Sequence, residues 1–165
     1  MRAYHLGLCK TAAAPAMGIF CNQAPLTVAL VCEKFERFAE GLLWAEAATS
    51  DDCCNLGSNN FYIHADGHRV KGRCLARLGQ GVEATVAFDA AIKIGSENGL
   101  YLHELLALAK LASLGLGGDR AVLLKRMKAA AVKMIGEAPT AERLASLSKA
   151  KLPAGVTLGE IMAAV

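Results

Sequence analysis

A short glycine-containing turn constrains this chain more than any other feature of its sequence. Residues 79–81, Gly-Gln-Gly, separate two stretches whose apolar residues recur with helical spacing, and these stretches predict helices over about 61–78 and 82–94. Glycine adopts left-handed backbone conformations without steric strain, so it suits the end of a helix. Because so short a connection forces the two helices to lie antiparallel, the sequence predicts a helical hairpin.

The same unit of helix, turn and helix recurs downstream of this hairpin. Helices are predicted over 100–113 and 121–135, and the glycine-rich residues 114–118 join them. Asp119 is placed to cap the incoming helix. A further helix is predicted over 141–149, before a proline and a glycine end it.

Helical periodicity also precedes the hairpin, over residues 26–48. The apolar residues of this region are Leu26, Leu30, Phe35, Phe38, Leu42 and Ala45. The stretch 49–60 is rich in turn-forming residues and is predicted to be a loop. Helix pairs of this kind bury their apolar faces only by stacking on one another. The sequence therefore predicts an all-α chain of about three antiparallel helix pairs plus a terminal helix.

Composition supports a single helical domain and excludes several classes of protein. Apolar residues make up 54% of the chain, mostly Ala and Leu, and aromatic residues only 5%. The formal charge of +3 is too small for an obligate nucleic-acid binder. No apolar run reaches the ~20 residues of a membrane span. The six cysteines follow no compact disulfide framework, which favours reduced thiols in a cytoplasmic protein.

Three segments are predicted along the chain. Residues 25–150 form the helical repeat domain, and residues 151–165 form a C-terminal tail with a short helical turn. Residues 1–24 contain no acidic residue, so they are predicted to be either a loosely ordered segment or an organelle-targeting sequence.

Residues 65–98 resemble a tetratricopeptide repeat. The family has small residues where its two helices cross and an aromatic residue in the second helix. Five residues fall at these places without a gap, namely Gly72, Gly79, Ala84, Phe88 and Ala91. Small residues allow the helix axes to approach to about 8–10 Å, and the aromatic ring fills the remaining space. The resemblance implies a short right-handed α-solenoid that binds a partner protein or peptide through its concave face.

A row of arginines is the main candidate binding feature. Arg69, Arg73 and Arg77 follow one another at steps of four residues, each of which rotates only about 40° around a helix. This side of the helix resembles the concave, ligand-facing surface of tetratricopeptide repeats. His103 and Lys110, on the first helix of the next predicted pair, would extend that surface. Such a strip suits an acidic peptide or a terminal carboxylate. The predicted partner-binding residues are Asp66, Arg69, Arg73, Arg77, His103 and Lys110.

Simpler interpretations and other functions stay open. The arginine row also fits an ordinary solvated face, with acidic residues nearby. Cys53, Cys54, His64 and His68 could serve a metal- or thiol-dependent protein, although adjacent cysteines are not the usual chelating pair. A few repeats with apolar ends could self-associate as a homo-oligomer, or be a fragment of a larger multidomain regulator. We expect no catalytic residue, cofactor, resident metal, nucleic-acid partner or membrane partner.

Overall fold

The computed structural model describes residues 15–50 and 60–135 of the chain. These residues form six helices and no strand, which confirms the all-α prediction. The helices are α1 (Pro15–Lys34), α2 (Phe38–Ala48), α3 (Phe61–Arg77), α4 (Gly81–Glu97), α5 (Tyr101–Ser113) and α6 (Arg120–Ile135). Within the same ranges, no helix combines the length and the apolar character that crossing a bilayer requires.

The four helices from α3 to α6 lie close to their predicted positions. Gly79 has a φ of +80°, the left-handed conformation expected of it in the turn between α3 and α4. Asp119 caps α6, because its Oδ1 accepts a hydrogen bond from the backbone N–H of Ala121 at 2.8 Å. The helix predicted over 141–149 and the tail 151–165 lie outside the described residues.

The N-terminal periodic region is two helices, joined by a turn at residues 35–37. Glu36 has a φ of +58°, which is uncommon for a residue other than glycine. Phe35, one of the apolar residues whose spacing predicted a helix across 26–48, lies in this turn, and its side chain is 70% exposed. The other helix of the pair, α1, begins at Pro15 and continues through Pro25, where the sequence predicted the repeat domain to start.

The described chain divides into two compact units, and the boundary falls inside α4, between Ala91 and Ile92. In the first unit, α1, α2 and α3 all contact one another. Their shared core consists of small and medium-sized side chains: Leu26, Ala29, Ala45, Ala48, Ile63, Val70 and Cys74. Alanine is frequent in this core, which lets the helices approach closely.

The second unit contains the end of α4 together with α5 and α6. Within it, α5 and α6 contact each other. Its buried side chains are Ile92, Leu105, Leu108, Leu111, Leu123 and Met127, with alanines between them. Glu104 is the one charged residue among the described residues that is buried. Each unit therefore has a core of its own, formed by the helices within it.

Candidate functional site

A glycine of α3 lies against an aromatic ring of α4. Phe88 is fully buried, as are Ala84 and Ala91 on the same helix. A Cβ atom built on Gly72 would lie 2.9 Å from Cε2 of the Phe88 ring. Real Cβ atoms almost never come that close, so the ring can occupy this space only because residue 72 has no side chain. Gly72 and the Phe88 ring thus pack directly against each other.

Two of the three arginines on α3 form ion pairs within the first unit. Arg69 donates hydrogen bonds to Asp66 Oδ1 from Nη2 at 2.8 Å and from Nε at 3.0 Å. Arg73 forms an ion pair with Glu33 of α1. The side chains of Arg69 and Arg73 are only 14% and 17% exposed. The row is therefore a partly buried charge network at this position and not a freely solvated strip.

Arg73 connects two helices at the centre of this network. Burial lowers the pKa of its guanidinium, and the neighbouring charge of Arg69 acts in the same direction, while Glu33 and Asp66 oppose both. Its Nε is buried and has no hydrogen-bond partner among the described residues. A buried charge of this kind depends on its carboxylate partner, so the Glu33–Arg73 pair ties α1 to α3.

Arg77 is the most accessible arginine of the row. Its side chain is exposed, and its guanidinium carbon lies 6.0 Å from the centroid of the Phe38 ring, within the range of a cation–π contact. This contact positions the side chain at the end of α3 and leaves its polar edge open to solvent. Of the three arginines, Arg77 is the one best placed to meet a ligand carboxylate.

The six predicted partner-binding residues are divided between the two units. Asp66 and the three arginines lie on α3 in the first unit, whereas His103 and Lys110 lie on α5 in the second unit, each with a half-buried side chain. Glu33, which completes the network on α3, was missed by the sequence analysis. The sequence does contain a signal for this residue, because Glu33 is the only acidic residue of α1.

The alternative metal or thiol site is only partly covered by the described residues. His64 and His68 lie on α3 with half-buried side chains, while Cys53 and Cys54 lie outside the described residues. Within residues 15–50 and 60–135, no group of three or more His, Cys, Asp or Glu side chains is arranged to hold a metal ion.

Two buried cysteines meet where three helices converge. A Cβ built on Gly41 of α2 would lie 3.0 Å from the sulfur of Cys74 and 3.4 Å from the Cβ of Cys32. Both cysteines are free thiols. Burial raises the pKa of the Cys74 thiol to about 11, the charge of Glu33 adds to this effect, and Arg73 opposes it.

Alkaline pH is therefore expected to destabilise the first unit through Cys74. Between pH 9 and 11 the unfolded chain ionises this thiol and the folded chain does not, so folding becomes less favourable as the pH rises. The expected loss is about 1.4 kcal/mol of unfolding free energy per pH unit in this window. Urea denaturation at a series of pH values measures the free energy of unfolding of the wild type and of Cys74→Ala. The difference between the two proteins isolates Cys74, because the other titrating groups are common to both. Parallel curves for the two proteins would contradict this assignment.

An open apolar groove, which the sequence analysis did not find, lies on the first unit. Its volume is about 440 Å³. The lining comes from α2, α3, the turn after α3, and α4: Leu42, Glu46, His68, Lys71, Leu75, Gln80, Val82, Glu83, Val86, Ala87 and Ala90. Such a surface cannot be read from any single helix, because three helices contribute to it.

In the second unit, Glu104 lies beneath the basic side of α6. Burial raises the pKa of its carboxyl group, and the charges of Lys133 and Arg126 oppose this shift. Its Oε2 has no hydrogen-bond partner among the described residues. The ammonium group of Lys133 also lies 5.6 Å from the centroid of the Tyr101 ring. The positive charges of α6 at Lys133 and Arg126 thus interact with residues of the same unit.

Comparisons with known proteins identify no family for this arrangement. No protein-family model matches the chain, and neither the curated proteins nor the solved structures contain a match to it.

Proposed function

We propose that this protein is a non-catalytic protein-interaction module built from tetratricopeptide-like helix pairs. In this proposal the pairs stack as a short right-handed α-solenoid, and the side that carries the arginines of α3 holds an acidic peptide or protein. His103 and Lys110 of α5 extend that side.

The contact between Gly72 and Phe88 is the observation that supports the proposal most directly. It sets the small residue of α3 against the aromatic residue of α4, and Phe88, Ala84 and Ala91 on α4 are all fully buried. Packing of this kind fixes the rotation of α3 about its own axis and thereby sets which side of α3 faces outward.

The charges on that side favour a negatively charged partner. Arg69, Arg73 and Arg77 carry three positive charges, and Asp66 and Glu33 carry two negative ones, which leaves a net charge of +1 (3 − 2). Arg69 and Arg73 are held by ion pairs within the unit. The net positive charge of this side therefore lies at Arg77, which is exposed. Binding through so exposed a charge weakens as salt concentration rises.

Arg77→Glu tests the proposal, with Arg120→Glu as the matched control. Arg73 is unsuited as a probe, because its reversal would place two carboxylates together and lower stability. Arg120 is an exposed arginine at the start of α6, so its reversal makes the same change of charge elsewhere.

The experiment is an affinity capture from a lysate of the source cells, followed by mass spectrometry and by titration calorimetry with the purified partner. We expect Arg77→Glu to bind about tenfold more weakly, or about 1.4 kcal/mol. Loss of the contact with Phe38 should lower the free energy of unfolding by no more than about 1 kcal/mol, so the variant stays folded. Arg120→Glu should bind as the wild type does. Equal capture by all three proteins would show that this side of α3 is a solvated face.

A further inference from the structure

The groove of the first unit lies on the opposite side of α3 from the arginine row. Lys71 and Leu75 line the groove, whereas Arg73 and Arg77 belong to the row. Residues two positions apart are separated by about 200° around a helix, so the two surfaces face away from each other. A ligand of the arginines would therefore leave the groove free.

The outer wall of the groove is an exposed apolar ridge. Val82 and Val86 are one helical turn apart on α4, and they are 78% and 67% exposed. Leu42, Leu75 and Ala87 line the groove beside this ridge. Removing valine side chains from water lowers the free energy, so an apolar ridge next to an apolar groove is a favourable surface for contact with another molecule.

The charges around the groove narrow the identity of that molecule. Glu46 and Glu83 are acidic, Lys71 is basic, and His68 adds an imidazole. Lys71 lies 3.7 Å from Glu46, and both side chains are about one-third exposed. A lining of mixed sign does not select a strongly acidic or strongly basic partner. It does suit a surface that carries the same mixture.

We propose that the groove is an interface between two copies of this chain, and that each copy inserts the Val82–Val86 ridge into the groove of the other. A two-fold axis makes such an interface self-complementary, because ridge meets groove twice. It also brings Glu83 of each copy toward Lys71 of the other, so that opposite charges meet at both ends. The volume of about 440 Å³ leaves room for the valine side chains of the ridge.

Sedimentation velocity of the full chain, from low micromolar to submillimolar concentration, tests this interface. The wild type should show a reversible monomer–dimer equilibrium. Val86→Glu should raise the dissociation constant at least about tenfold, because the substitution places a charge in both copies of the apolar contact. Val122→Glu, at an exposed valine of α6, should dimerise as the wild type does.

A charge swap tests the proposed contact between copies. Lys71→Glu alone should weaken the dimer, and the double variant Lys71→Glu/Glu83→Lys should restore it, because the opposite charges meet again with their places exchanged.

Three results would overturn the proposal. The first is a wild type that stays monomeric at every concentration, which would assign the groove to another occupant. The others are a Val86→Glu variant that dimerises like the wild type and a double variant that dimerises no better than Lys71→Glu. None of them bears on the arginine row, because partner capture is measured with Arg77→Glu, which leaves the groove intact.

Discussion

Replacing Phe88 with alanine is expected to lower the free energy of unfolding by about 3–5 kcal/mol. The ring is fully buried and lies against the backbone of α3 at Gly72. Its removal leaves a cavity at the crossing of two helices, and the alanines around it are too small to fill the space. Urea denaturation followed by circular dichroism measures this loss.

Val122→Ala is the control for this substitution. It also removes an apolar side chain, but from an exposed position on α6, so we expect a change within about 0.5 kcal/mol. If Phe88→Ala cost no more than this control, the α3–α4 crossing would not be the packing centre described above. The resemblance to a tetratricopeptide repeat would then lose its physical basis.

Gly95→Ala is expected to destabilise the second unit by about 2 kcal/mol. The added Cβ would lie 2.9 Å from the backbone nitrogen of Glu104 and 3.2 Å from its Cα. Because these are backbone atoms, α4 and α5 must separate, at a cost of about 3 kcal/mol. The higher helix propensity of alanine offsets about 1 kcal/mol of that cost.

Ser96→Ala provides the comparison for this second prediction. It changes the next residue of α4, whose side chain is exposed, and leaves the approach to α5 untouched. Thermal and urea denaturation of both variants should separate them clearly. A Gly95→Ala protein as stable as Ser96→Ala would mean that α4 and α5 are not in backbone contact at residue 95.

Most of the local structure could be predicted from sequence because it depends on neighbouring residues. The turn with Gly79, the cap with Asp119 and the helical spacing of apolar residues all act within a few positions. The contact of Gly72 with Phe88 was also predictable, since only a short turn separates their helices. Local signals of this kind survive in a single sequence.

The remaining features depend on residues far apart in the chain. Glu33 and Arg73 are neighbours only after α1 packs on α3, so the sequence predicted a partner-binding or solvated arginine where the structure has an ion pair. The groove requires three helices at once. The turn at Glu36 was missed because it lacks glycine and because the apolar Phe35 continues the helical spacing.

The adjacent pairs Cys32-Glu33 on α1 and Arg73-Cys74 on α3 fix the alignment of two helices. From Pro15 to Cys32, α1 carries no charged residue, so apolar contacts alone would define its position along α3 only loosely. A displacement of one residue would exchange the thiol and the carboxylate, placing Glu33 in the core and leaving Arg73 uncompensated. A single acidic residue that follows an uncharged stretch of α1 is thus enough to select one register.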